Sequence, residues 1–167
     1  MKKNNIILIG MPASGKSTVG VILAKILGYN FVDADIVIQE KEHRKLSRII
    51  EEDGIDGFVE IENKINSEIE VEKTVISTGG SAVYGKEAMD HYKNIGKVVY
   101  LKVSMDVLTK RLKNAKQRGV VMREGQSLVS LYNERVPLYE KYADIVIDEG
   151  DKTMEEVVAD LLAALSC

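Results

Sequence analysis

The chain has 167 residues, 45% apolar and 29% charged, with a net charge of −3. That suits one soluble domain; it lacks the basic surplus expected of a nucleic-acid binder and the run of ~20 apolar residues that a membrane span needs. The only cysteine, Cys167, is the last residue, which excludes an intramolecular disulfide and a cysteine-rich metal site.

In chain order, residues 1–5 lead into a short apolar run at 6–9 that reads as a strand. The run is too short for a signal peptide and has no cleavage-like site, so a cytoplasmic enzyme is expected. Gly10-Met11-Pro12-Ala13-Ser14-Gly15-Lys16-Ser17 follows and fits G-x-x-x-x-G-K-[ST], with a helical pattern over 17–27 behind it. In a strand–loop–helix setting, successive backbone N–H groups of such a loop point at phosphate oxygens. The lysine reaches the β- and γ-phosphates, and the hydroxyl ligates the accompanying Mg²⁺. The chain is therefore expected to bind a nucleoside triphosphate. Gly10, Ala13, Ser14, Gly15, Lys16, Ser17 and Thr18 are the candidate contacts.

Further strands are predicted at 30–32, 74–77, 97–102 and 144–147, and helices at 46–52, 58–71, 86–92, 105–112, 127–142 and 153–165. Short β-branched runs without polar alternation suit strands buried on both faces of a parallel sheet. The alternation predicts an α/β fold with five parallel strands, with ligands at the carboxyl ends of the strands. Asp33-Ala34-Asp35 follows the second strand; its acids suit Mg²⁺ support and an acceptor hydroxyl, or a helix N-cap. Ser77-Thr78-Gly79-Gly80-Ser81 follows the third and is either a ligand-approach loop or an ordinary turn. Residues 113–126 carry Lys113, Lys116, Arg118 and Arg123 and lack an apolar face, as a solvated loop or a basic lid would. Arg135 lies late in the chain on a helix whose outer face is otherwise acidic. His43 and His91 lie in charged surroundings and are expected at the surface.

Taken together, these segments resemble the shikimate kinase family nearly end to end. The resemblance rests on the P-loop at 10–17, Asp33 and Asp35 as an Asp-x-Asp pair, and 77–81 as the counterpart of an S-T-G-G-G segment. It also rests on Arg135, Pro137, Leu138, Tyr139, Ala143 and Asp144 as an R-x-P-L-Y…A-D signature. It implies a single three-layer P-loop kinase domain over 1–167 with a five-stranded parallel sheet, helices on both faces and a mobile lid at about 113–126. The acceptor would bind in the region of about 33–62. The implied reaction is ATP-dependent phosphorylation of the 3-hydroxyl of shikimate, with ATP and Mg²⁺ as cofactors and a small molecule as the sole partner of a monomer. By similarity, Lys16, Asp35 and Arg118 are catalytic, and Ser17 and Asp33 hold the metal. Arg111 and Arg118 join the P-loop at the nucleotide. Asp35, Gly79, Gly80, Ser81 and Arg135 bind the acceptor, with Arg135 on its carboxylate.

The pattern departs from the family in the acceptor half. Where the family has Phe-Arg-x-x-Glu, this chain has Phe58, Val59 and Glu62, so the second carboxylate-binding arginine is missing. Glu62 would then seek another cation: Arg44, Lys45 or Arg48. Ser81 replaces the third glycine of the family's loop, and Arg118-Gly119-Val120-Val121 stands for Arg-Pro-Leu-Leu in the lid. A kinase of another small polyol, sugar acid or nucleoside is the alternative reading; a catalytically silent nucleotide binder is a third.

Overall fold

A computed structural model describes residues 4–112 and 121–166. Five parallel strands, β1 (Asn5–Ile9), β2 (Asn30–Asp33), β3 (Thr74–Ser77), β4 (Gly96–Lys102) and β5 (Ile145–Asp148), form one sheet in the order β2-β3-β1-β4-β5. The helices are α1 (Lys16–Leu27), α2 (Ala34–Glu42), α3 (Leu46–Ser67), α4 (Lys86–Ile95), α5 (Met105–Arg111), α6 (Leu128–Tyr142) and α7 (Met154–Leu165). β1 is central, with Leu8 in register with Ser77 of β3 and Val99 of β4.

The two-residue period of a strand divides the apolar residues between two faces. Ile7, Ile9, Ile76, Val98 and Tyr100 pack against residues of α4, α5 and α6, among them Met89, Tyr92, Leu108 and Tyr139. Ile6, Leu8, Val75, Val99 and Leu101 pack against α1 and α7 through Val19, Leu23, Val157 and Leu161. Both faces of the sheet are thus covered, which gives the expected three layers. A third cluster joins α2 and α3 through Ile38, Ile49, Phe58 and Ile65, with Val121 against it. Among the described residues no helix is long and apolar enough to cross a membrane.

Two elements differ from the expected ones. The segment after Asp33 is a full helix, α2, whose first free N–H groups at Asp35 and Ile36 are capped by the Asp33 carboxylate at 3.0 and 3.4 Å. The β-branched stretch Ile36-Val37-Ile38 hides the helical period there. The stretches expected at 46–52 and 58–71 belong to one element, α3, interrupted where Gly54 leaves helical geometry (φ 74, ψ 175). Of the lid expected at 113–126, residues 113–120, and with them Arg118, lie outside the described residues.

Candidate active site

The P-loop leaves the end of β1 and turns into α1 at Gly15, which is left-handed (φ 84) and offers no capping side chain. No acid occupies the first turn of α1. Its first N–H groups therefore lack an intrahelical partner and a competing acid from their own turn, the condition for an anion site. Lys16 is buried and folds back on the loop. Its Nζ donates to the carbonyls of Gly10 at 2.9 Å and Met11 at 2.8 Å and to Ser14 Oγ at 3.3 Å. Burial pulls its pKa down to about 8, against the pull of Asp35, Glu149 and Asp33. Gly10 and Ser14 are buried, whereas Ser17 and Thr18 are exposed. Arg111, at the end of α5, donates to the Ala13 carbonyl at 3.0 Å and so stands beside the loop.

Three oxygen-bearing side chains meet at the start of α1. Ser17 Oγ lies 3.2 Å from Asp33 Oδ2 and 3.1 Å from Ser77 Oγ. Asp33 thus combines the cap of α2, through one carboxylate oxygen, with a place at the P-loop through the other, while Asp35 faces the cleft. Burial and the neighbouring Asp33 push the Asp35 pKa up to about 6, with Lys16 opposing.

The opposite wall is built from β3, α3 and α6. A Cβ on Gly79 would lie 2.7 Å from Asp35 Oδ1 and 3.0 Å from Glu62 Oε2, so only glycine admits both carboxyl groups. A Cβ on Gly80 would lie 2.7 Å from Pro12 Cδ and 2.9 Å from Arg135 Nη1. The Tyr139 hydroxyl fixes Gly80 by donating to its carbonyl at 2.6 Å. Arg135 is 1% exposed. Its Nη2 donates to the Val121 carbonyl at 2.7 Å, its Nε to the Tyr84 hydroxyl at 3.2 Å, and the guanidinium lies 5.3 Å from the centre of the Tyr84 ring. Nη1 is buried with no partner among the described residues.

Lys16, Ser17, Asp35, Gly79, Ser81, Arg111 and Arg135 line one cleft of 470 Å³ at the carboxyl ends of β1 and β3. Groups that can hold a polyanion, a hydroxyl and a carboxylate thus share one space. The shikimate kinase family pattern matches residues 12–166. The chain is 38% identical to the shikimate kinase of Sulfurihydrogenibium sp. (strain YO3AOP1), over 96% of this chain and 97% of that one. The shikimate kinase of Acinetobacter baumannii, solved in complex with shikimate, superposes with a TM-score of 0.88 at 30% identity, covering 97% of this chain and 92% of that chain. That of Aquifex aeolicus superposes with a TM-score of 0.81 at 36% identity, covering 97% and 96%. The chain belongs to the shikimate kinase family. It is accordingly a phosphotransferase with an alcohol acceptor and ATP as donor.

Within this shikimate kinase scaffold, Glu62 forms no ion pair with Arg44, Lys45 or Arg48 among the described residues. Arg44 pairs with Glu42, Glu52 and Asp53, and Arg48 pairs with Glu52. Glu62 instead accepts a hydrogen bond from Ser81 Oγ at 2.7 Å. His43 is exposed as expected, whereas His91 is half-buried with Nε2 2.7 Å from the Ile69 carbonyl. Sequence reasoning overlooked Glu149, at the end of β5. It is 6% exposed, with one oxygen lacking a partner among the described residues and the other 3.9 Å from where a Cβ on Gly15 would stand. Burial pushes its pKa up to about 7 against Arg111 and Lys16. In sequence it sits in Asp148-Glu149-Gly150-Asp151, which reads as a solvated turn.

Proposed function

We propose that the chain transfers the γ-phosphoryl group of ATP to the 3-hydroxyl of shikimate, and that the residues gathered in the cleft carry the reaction. The backbone N–H groups from Ala13 to Thr18 would hold the phosphates, with Lys16 moving from the Gly10 and Met11 carbonyls onto the β/γ-phosphates. Arg111 would flank the nucleotide. Ser17 and Asp33 present hard oxygen donors 3.2 Å apart beside a phosphate site, which fits Mg²⁺; that ion takes one or two protein oxygens and completes its shell with phosphate and water. Once bound, Mg²⁺ neutralises charge on the β- and γ-phosphates.

Asp35, ionised above its pKa of about 6, accepts the proton of the acceptor hydroxyl as the new O–P bond forms. The bond from the γ-phosphorus to the bridging oxygen breaks, and ADP leaves with that oxygen. Lys16 and Arg118 are assigned the charge on the transferring group. The free Nη1 of Arg135 takes the acceptor's carboxylate, and the backbone of Gly79, Gly80 and Ser81 forms the adjoining wall. The state proposed is a cytoplasmic monomer.

The observation that carries this reading is the pairing of Asp35 with an unpartnered, buried Arg135 Nη1 across Gly79 and Gly80, next to the P-loop. A hydroxy acid is the ligand that satisfies both. Val59 and Ser81 favour a second reading in which the hydroxy acid is not shikimate. ADP release from Mg·ATP, with and without shikimate, separates the two. Saturable stimulation by shikimate is the expected result. ATP binding without stimulation would overturn shikimate as acceptor and direct a panel of polyols and sugar acids.

A further inference from the structure

Two carboxyl groups occupy the space that a side chain on Gly79 would need. Asp35 faces the cleft, and Glu62 lies behind it, 1% exposed, with Oε1 held by the Ser81 hydroxyl at 2.7 Å and Oε2 without a partner among the described residues. Such a pair separates into one ionised and one neutral group, because two adjacent negative charges in a dry site repel. The charged or titratable groups that face Glu62 are Asp35 at the start of α2, Arg135 and Tyr139 on α6, and Tyr92 on α4. Asn66, one turn further along α3, is buried with both amide atoms unpartnered, and it adds no charge. Arg135 is therefore the one cation among these facing groups, and it is also the residue assigned to the acceptor's carboxylate.

Resting on that reading of the cleft, we propose that Glu62, seated by the Ser81 hydroxyl, is a positioning residue that sets which acceptor charge the pocket accepts. Neutral, it leaves Arg135 Nη1 to an anionic acceptor. Ionised, it draws on the field of Arg135 and repels that acceptor. Val59 is what makes this possible: a cation at that position, three residues before Glu62 on the same helix, would keep the carboxylate permanently ionised and compensated. Here the compensating partner is a neutral hydroxyl, so the charge of Glu62 is free to change. Burial and Asp35 raise its pKa to about 8, with the Ser81 and Arg135 contacts opposing, which places the change just above neutrality.

The test is the dissociation constant of shikimate by titration calorimetry from pH 6.5 to 9.5, for wild type, Glu62→Gln and Ser81→Ala, with KM and kcat measured alongside. Lys16 titrates in the same range, with a pKa of about 8. The readout is therefore the difference between variants, not the wild-type curve alone. Wild type should lose affinity by about tenfold per pH unit once Glu62 is ionised, following the linkage of one proton to binding. Glu62→Gln keeps the shape and the acceptor oxygen for Ser81, and it should remove that fall, with kcat at pH 7 little changed. The Ser81 hydroxyl favours the ionised form, so Ser81→Ala should move the fall to higher pH; this arm also serves if Glu62→Gln does not fold. A parallel loss of affinity in wild type and Glu62→Gln, or an unmoved curve in Ser81→Ala, overturns the inference while leaving the proposed function standing. Absence of shikimate binding by wild type at pH 7 overturns both.

Discussion

Replacing Val59 with arginine probes the acceptor half most directly. Val59 is half-buried on α3 and borders a cavity of 220 Å³ that is also lined by Tyr84, Arg123, Glu134 and Arg135. A guanidinium can enter this space without displacing a core side chain. It would add a second cation beside the free Nη1 of Arg135, and a charge-assisted bond to the acceptor carboxylate contributes about 1.5–3 kcal/mol. Ordering the long side chain costs up to about 2 kcal/mol. Arg123 and Arg135 add like-charge repulsion, which Asp56 and Glu62 on α3 offset. The net expectation is about 1 kcal/mol, a roughly fivefold lower KM for shikimate. The contact exists before and during transfer, so kcat should stay unchanged. The assay is coupled ADP release at saturating Mg·ATP over a shikimate series. An unchanged or higher KM in a folded variant would refute the argument, because it would mean that the carboxylate does not sit within reach of position 59.

Lys16→Ala should abolish measurable turnover, since the transferring phosphoryl loses its fixed cation; a near-normal kcat would remove Lys16 from the chemistry. Asp35→Asn should lower kcat by about 10²–10⁴, the usual contribution of a general base, and leave nucleotide affinity as it was. In wild type, kcat/KM should fall as pH drops through about 6, where Asp35 takes up its proton; retention of that acid limb in Asp35→Asn would assign it to another group. Glu62→Gln should stabilise the protein at pH 8 and make little difference near pH 4.5. The folded pKa of about 8 lies above the ordinary 4.5, so the fold holds a proton that the unfolded chain releases between these values. The stability tied to Glu62 is present below about 4.5 and declines as pH rises towards 8. Melting temperatures of both proteins at the two pH values check this, and an equal difference at both would contradict it.

The nucleotide half was legible because its signals are local. A strand, a glycine-rich loop and a helix start lie within residues 6–27, and the pattern dictates the backbone geometry that the structure displays. The strands were legible for a similar reason, since burial on both faces leaves runs such as Ile6-Ile7-Leu8-Ile9 with no polar alternation. α2 was not legible, because Val37 and Ile38 join a small cluster while Ile36 is exposed, so the apolar run gives no clear period. The acceptor half depends on contacts between distant residues: Ser81 with Glu62, Arg135 with Tyr84 and Val121, Tyr139 with Gly80. Arg135 was marked only through the R-x-P-L-Y resemblance; its charge and helical position alone do not distinguish a buried guanidinium from a solvated one. Glu149 is hidden for the same reason: its burial comes from the P-loop packing over the end of β5.

The shifted groups in the cleft share one physical cause. Lys16, Asp35, Glu62 and Glu149 all move towards neutrality, and burial is the largest contribution to each. A site that must receive a polyanionic nucleotide and an anionic acceptor cannot be fully hydrated when loaded, and the free protein reduces the resulting cost by weakening its own charges. Arrival of the triphosphate would reverse the shift at Lys16, because a phosphate replaces two carbonyls as its partner and favours the charged form. The same negative charge would hold Glu149 and Glu62 neutral more firmly. Nucleotide binding near pH 8 should therefore take up protons, and calorimetric titrations in buffers of different ionisation enthalpy would measure how many. A value of zero would mean that Lys16 is already fully charged in the free protein, its bonds to Gly10 and Met11 compensating for its burial, and that Glu149 and Glu62 keep the same protonation when the nucleotide binds.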